Sequence, residues 1–126
     1  MLQRIITLGK YLMITLWSLF APIHATLGIV LLLISIDFIT GIIAAKRRGE
    51  PLTSTGIKRT VLKIFIFEIA LMLGFIAEKF IPGSLPFTNL VGGFISLTEM
   101  TSIVENMNEL SGNSLLQALV NKLGQS

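Results

Sequence analysis

Three acidic side chains lie within long apolar segments of the chain, where ionisable groups are rare. Asp37, Glu68 and Glu99 are each flanked in sequence by aliphatic and aromatic residues. In a hydrocarbon environment such groups are costly to bury, so they usually pair with another helix or face a water-filled path. The chemistry open to them is therefore helix–helix adhesion, a response to membrane potential, or ion passage.

Asp37 shares one helical face with residues that are small or carry a hydroxyl group. Thr40, Gly41 and Ala45 follow it at helical spacing. Gly41-x-x-x-Ala45 is a small-x-x-x-small pattern, which lets another helix backbone approach closely. Two interpretations stay open: a seam between proteins or along a lumen that controls assembly, and a tertiary hydrogen bond that fastens this helix to the next one in the same subunit.

A second polar stripe lies in the last apolar segment of the chain. Its members recur at intervals of three or four residues and therefore line one helical face: Gly92, Ser96, Glu99, Ser102 and Asn106. Such groups would lack partners in lipid, so the stripe must meet another helix or water, and its length favours a solvated path. We expect Glu68, in the preceding segment, to pair with Lys63 or with a group on another helix.

The sequence contains no recognisable catalytic constellation. One histidine and no cysteine are too few for a metal cluster or a histidine-containing nucleophile triad. The segment Thr53-Ser54-Thr55-Gly56 lacks the Gly-x-x-x-x-Gly-Lys pattern of a phosphate-binding loop. We therefore expect neither an enzyme nor a cofactor or metal site.

Composition assigns the chain to the membrane proteins. Of its 126 residues, 52% are hydrophobic and 13% are charged, and the mean hydropathy is +0.81. A soluble domain carries about a quarter charged residues, because its surface must be solvated. The net charge of +3 does not indicate nucleic acid as a partner, since the basic residues cluster beside apolar segments.

The elements that carry the two stripes are predicted to be membrane helices. We predict an all-α membrane protein with three or four transmembrane helices in an oligomeric bundle, forming a single domain over residues 1–126. The helices are expected at about 2–20, 23–45, 61–81 and 87–104, with a break at Pro22 and a short amphipathic helix in the tail 105–126. The first helix contains Arg4 and Lys10, so it could span the bilayer or lie in its interface.

The distribution of basic residues predicts the orientation. The loop after the second helix has one acidic residue, Glu50, against five basic ones: Lys46, Arg47, Arg48, Lys58 and Arg59. Short loops rich in lysine and arginine stay in the cytoplasm, whereas the turn Pro82-Gly83-Ser84-Leu85-Pro86 carries no charge. Four spans would place both termini in the cytoplasm and make the protein a multi-pass membrane protein.

Two motifs resemble those of phage holin family 4, the toxin-secretion and phage-lysis holins. The run Asp37-Phe38-Ile39-Thr40-Gly41-Ile42-Ile43-Ala44-Ala45 is similar to the family signature D-x-x-T-G-x-x-A-A. A basic turn and the Thr53-Ser54-Thr55-Gly56 segment follow, and Glu99-Met100-Thr101-Ser102-Ile103-Val104-Glu105-Asn106 resembles the acidic residue and S-I-x-E-N of the last helix. The resemblance covers about Leu27 to Val120.

The chain departs from the family pattern at three places. Glu78 stands where the family often has aspartate. The segment Gly112-Asn113-Ser114 lacks the usual proline, and the N-terminal helix matches nothing diagnostic. The first two departures are mild substitutions, whereas the third leaves the number of spans open.

The resemblance implies a holin, which oligomerises in the inner membrane and opens lesions at a programmed time. An endolysin then reaches the peptidoglycan, or a toxin leaves the cell. The implied partners are further copies of the chain, the lipid bilayer, and an endolysin or toxin that need not touch it directly. Two alternatives remain: a small ion or proton channel or transporter, and a regulatory membrane subunit such as an antiholin.

Overall fold

The computed structural model describes residues 1–83, 85–112 and 115–125, which are almost entirely helical. They contain no strand, so the all-α prediction is confirmed for this part of the chain. The α-helices are α1 (Leu2–Leu19), α2 (His24–Arg47), α3 (Ser54–Phe80), α4 (Phe87–Ser111) and α5 (Leu115–Gly124). A short 3₁₀ helix, Ala21–Ile23, separates α1 from α2 and contains Pro22.

Local signals explain where the helices begin and end. Gly49, with φ of +81°, follows the end of α2, because a left-handed residue cannot continue a right-handed helix. α3 begins at Ser54 rather than near 61, since the side chain of Thr53 accepts a hydrogen bond from the backbone N–H of Gly56 at 3.1 Å and caps the helix. α4 continues past 104 to Ser111 and stops at Gly112, whose φ is +70°.

The helices α2, α3 and α4 pack against one another as a three-helix bundle. Its apolar core consists of Val30, Ile34, Leu71 and Ile95, all nearly inaccessible to solvent. Close helix approach depends on glycine at two points. A Cβ atom at Gly74 would lie 3.4 Å from the backbone carbonyl of Phe87, and one at Gly92 would lie 3.3 Å from Thr26 Cγ2.

Contacts at both ends of the bundle show that α4 extends along its full length. At one end the guanidinium of Arg47 donates hydrogen bonds to the backbone carbonyls of Glu109 and Leu110. At the other end the backbone N–H of Thr88 donates to the Glu78 carboxylate. The C-terminal end of α4 therefore lies beside the basic loop that follows α2.

α1 is the least integrated of these helices, because none of its residues is buried. It is joined to the bundle near Pro22. The His24 Nε2 atom lies 2.8 Å from the Trp17 carbonyl oxygen, the rings of these two residues are 3.9 Å apart, and the ring of Phe20 contacts that of Phe75. These contacts fix the joint between α1 and α2.

Two helical segments are long and apolar enough to cross a membrane. They are residues 21–47 and 54–80, with mean hydropathies of 2.5 and 2.2. Buried residues make up only 17% of each apolar window, which leaves most of their apolar surface for lipid or other subunits. α1 and α4 do not meet the same test, so the three or four spans stay a prediction.

The predicted tail differs from the observed one, because residues 105–111 continue α4. α5 then follows, with Leu119, Val120 and Leu123 exposed in the single chain. Two segments discussed from sequence fall partly outside the described residues. These are the Pro82–Pro86 turn, because of Ser84, and the Gly112-Asn113-Ser114 segment, because of Asn113 and Ser114.

Gly74 and Gly28 provide a matched test of the bundle. In Gly74→Leu the side chain meets the Phe87 backbone, and we expect a loss of about 1–3 kcal/mol in the free energy of unfolding, as in other overpacked cores. In Gly28→Leu the side chain enters open space, and the better helix former stabilises α2 by up to about 1 kcal/mol. Unfolding in detergent, followed by circular dichroism, measures both; equal effects would contradict this packing.

Candidate functional site

Lys63 joins two acidic residues from different helices in the interior of the bundle. Its Nζ atom donates to Asp37 Oδ2 and to Glu99 Oε2, at 2.9 Å in each case. Because Asp37 lies on α2, Lys63 on α3 and Glu99 on α4, these three residues, called the ionic triad below, connect all three helices. With every group ionised, the ionic triad carries one net negative charge.

Polar groups from α2 and α4 complete the hydrogen bonding of Asp37. The Asn106 amide donates to Asp37 Oδ1 at 3.2 Å and to Thr40 Oγ1 at 3.1 Å. The Thr40 hydroxyl in turn donates to the Ile36 carbonyl oxygen at 2.9 Å. Both Asp37 oxygens therefore have partners within one chain, as buried charges require.

Burial decreases from Glu99 to Lys63. The side chain of Glu99 is 1% exposed, that of Asp37 13% and that of Lys63 29%. Asp37 lies about 15 Å from the end of α2 at Arg47, given the rise of an α-helix. Glu99 is thus fully buried and Asp37 mostly so, while the lysine lies at the edge of the bundle, where its flexible chain has room to move.

The α4 stripe faces α2 and α3 of the same chain. Gly92 and Glu99 are buried, and Ser96, Ser102 and Asn106 are half-buried. The sequence favoured a solvated path along this stripe, but in the single chain Glu99 is closed off by Lys63. The within-subunit interpretation of Asp37 corresponds to the observed contacts, with α4 as a third partner that the sequence did not indicate.

A cavity of about 570 Å³ opens between the ionic triad and the basic loop. Residues of the Asp37 motif, the start of α3 and the end of the α4 stripe all contribute to its wall: Asp37, Gly41, Ala45, Gly56, Thr60, Ser102 and Asn106. Gly41 and Asn106 are close neighbours in this wall, since a Cβ atom at Gly41 would lie 3.6 Å from the Asn106 amide nitrogen, an ordinary van der Waals distance. Motifs separated in sequence therefore form one site.

Glu68 does not pair with Lys63, which was one of the two kinds of partner expected from sequence, the other being a group on another helix. Lys63 contacts Asp37 and Glu99 instead, and Glu68 Oε1 is buried without a hydrogen-bond partner. The two residues lie five positions apart on α3, which places them on different sides of the helix. Lys63 therefore faces the ionic triad, and Glu68 lies at the margin of the buried face.

The basic loop forms its own ion pairs. Arg48 donates to Glu50 at 3.1 Å and also contacts Glu109 at the end of α4. The hydrogen bonds from Arg48 lower the pKa of Glu50, and those to Glu50 and Glu109 raise the pKa of Arg48. The remaining basic residues predicted to set the topology, Lys46, Arg47, Lys58 and Arg59, are exposed.

Comparison with known proteins identifies the family. A family model described as the bacteriophage holin family matches residues 14–126. The chain belongs to the bacteriophage holin family. No curated protein and no solved structure matches it.

The match confirms the resemblance carried by the two sequence motifs. Together with the apolar helices α2 and α3, it makes the chain a holin-type membrane protein. Every member of the ionic triad lies within the matched region. Among the residues that the structure describes, no three histidine, cysteine, aspartate or glutamate side chains are placed to hold a metal ion.

Two residues with structural roles in this holin were missed or misassigned from sequence. Lys63 was one of two alternatives given as the partner of Glu68, whereas it contacts Asp37 and Glu99. Glu78 was noted as a departure from the family pattern, whereas it accepts a hydrogen bond at the start of α4. That role follows from the free N–H groups at a helix N-terminus.

Neutralising the ionic triad in steps tests its energetics. We expect Lys63→Met to destabilise the bundle by about 3–5 kcal/mol, because two buried carboxylates lose their counter-ion. Adding Asp37→Asn and Glu99→Gln to the same chain should recover most of that loss. Unfolding in detergent measures the three free energies; a triple variant as unstable as Lys63→Met would show that charge is not the cause.

Proposed function

We propose that this chain is a holin that forms homo-oligomers in the bacterial inner membrane and opens lesions through which an endolysin or a toxin crosses. The observation that carries the proposal is an ionic triad buried among apolar helices in a chain of the bacteriophage holin family. Charged groups at membrane depth mark functional sites. The consequence for the cell is lysis or protein release.

The contacts between helix ends support a C-terminus in the cytoplasm. The end of α4 lies beside the basic loop, through Arg47 and Arg48, and loops rich in basic residues stay cytoplasmic. α4 also extends along the whole of α3, from Glu78 to the loop, so we propose that it crosses the bilayer as a third span. α1 would then be either a fourth span or an interfacial helix.

In the closed subunit the charged groups of the ionic triad are paired with one another. The ionic triad and Asn106 occupy the seam between α2, α3 and α4, while aliphatic side chains cover the exterior. A lesion wide enough for a folded protein needs a wall that contacts water. We propose that the α4 stripe provides this wall after α4 separates from Lys63, because its polar residues follow one face of the helix at intervals of three or four residues.

Membrane potential offers a physical trigger for this opening. A charge that moves across the full field changes energy by about 2.3 kcal/mol per 100 mV. The ionic triad has a net negative charge and lies partway across the bilayer in this topology, so part of that energy biases its position. Loss of the potential would remove the bias and shift packed assemblies towards open ones.

Expression of the chain alone, and together with a cytoplasmic muralytic enzyme, tests the proposed function. We expect abrupt lysis only when the enzyme is present, because the holin supplies passage and the enzyme breaks the wall. Culture density, membrane potential and release of a cytoplasmic reporter enzyme are followed together. Loss of potential with the reporter retained would instead indicate a small ion channel. No effect of the chain alone would indicate a regulatory subunit.

Substitutions in the ionic triad test the trigger separately. We expect Asp37→Asn and Glu99→Gln to change the time at which lysis begins and to reduce the advance caused by an uncoupler, since the charge that senses the potential is altered. Glu105→Gln, on the exposed side of α4, is the control and should keep both wild-type values. If the triad variants lyse on the wild-type schedule with the same uncoupler response, the trigger is wrong.

A further inference from the structure

A second cavity lies at the other end of the bundle, between α2 and the first turns of α4. It has a volume of about 190 Å³, whereas one water molecule occupies about 30 Å³ in the liquid. Six of its lining residues are small or polar: Thr26, Thr88, Asn89, Gly92, Gly93 and Ser96. We call this cavity the outer groove, because it lies opposite the basic loop.

The outer groove contains polar groups that the single chain leaves unsatisfied. Thr88 is 5% exposed, and its Oγ1 atom has no hydrogen-bond partner, although its side chain lines the groove. Asn89 is exposed beside it. In a bilayer an acyl chain filling the groove could not hydrogen-bond to either group, so lipid is a poor occupant.

Gly93 is not explained by packing within the chain. A Cβ atom at the neighbouring Gly92 would meet Thr26 and Leu71, so Gly92 is required by the contact between α4 and its own bundle. A Cβ atom at Gly93 would meet nothing within 4 Å. A glycine inside a helix weakens it relative to alanine, and its common use in membrane helices is to let a second helix approach.

The chemistry of the outer groove favours an uncharged and self-complementary partner. None of its eight lining residues is charged, so neither a phosphate headgroup nor an ion would find a counter-charge there. An asparagine amide both donates and accepts hydrogen bonds, so two copies of Asn89 can satisfy each other across a two-fold axis. A second copy of the chain offers this arrangement without any other component.

We propose that the outer groove is a self-association surface, on which α4 of one subunit packs against α4 of a second copy around Gly93, with Asn89 paired across the contact. This inference rests on the proposed function, since it names a contact that builds the oligomer. It leaves the ionic triad inside each subunit, and only Gly92 and Ser96 belong both to the outer groove and to the α4 stripe.

Single-cysteine cross-linking tests this surface directly, because the natural chain contains no cysteine. Asn89→Cys and Gly93→Cys lie in the outer groove. Leu90→Cys and Phe94→Cys are the matched controls, one residue further along α4 and exposed elsewhere on it. In bacterial membranes treated with an oxidant, we expect at least ten times more disulfide-linked dimer from each groove variant than from its control.

A second variant separates the contact from the fold. Gly93→Leu has room within the chain, so its unfolding in detergent should show a stability at least equal to that of wild type, while Asn89→Cys dimer in this background should fall at least tenfold. Phe94→Leu should change neither value. Dimer formation through Phe94→Cys with none through Gly93→Cys, or full Asn89→Cys dimer in the Gly93→Leu chain, would overturn the proposal.

The same measurements distinguish this proposal from the proposed function. Cross-links at position 93 in a chain that never releases a reporter enzyme would leave the interface intact and reject the holin activity. Release of the reporter without cross-links at position 93 would reject the interface alone.

Discussion

The lysine ammonium group of Lys63, shared by two carboxylates, is the interaction on which the rest of the bundle depends. In a low-dielectric interior an unpaired charge is far more costly than a lost apolar contact. Asp37 and Glu99 can therefore be buried only where one cation reaches both, at 2.9 Å each. This requirement fixes the relative height of α2, α3 and α4, and the apolar core of Val30, Ile34, Leu71 and Ile95 packs at that register.

The charges in this arrangement do not balance, and this affects how firmly the closed state is held. Two carboxylates and one lysine leave a net negative charge, and Glu68 adds a further acidic group whose Oε1 has no partner. Buried ion pairs are weak sources of stability, because desolvation offsets most of the attraction. The ionic triad therefore fixes how α2, α3 and α4 align, but it adds little stability. The bundle can still exchange these internal contacts for contacts with water.

Much of this architecture was accessible from the sequence, but the pairing was not. Helical spacing identified the stripes of Asp37 and Glu99, and the break at Pro22 placed the joint between α1 and α2. The sequence placed the start of α3 near Val61, where the chain becomes apolar. The helix begins at Ser54 instead, because the side chain of Thr53 caps it there. Glu68 was expected to pair with Lys63 or with a group on another helix, whereas Lys63 pairs with Asp37 and Glu99. The actual partners of Lys63 depend on how three helices align along their axes. Helical spacing within one segment carries no information about that alignment.

The two halves of α4 carry different chemical groups, so they can contribute differently to an assembly. Its C-terminal half contributes charged and amide groups, Glu99 and Asn106, whose bonds to α2 and α3 must break before they can contact water. Its N-terminal half carries neutral small residues around Gly93, where contacts are independent of charge and of membrane potential. Subunits joined through the neutral end can therefore stay joined while the charged end rearranges. In the proposed oligomer a change in potential would then act on the ionic triad without separating the subunits, which a cooperative opening requires.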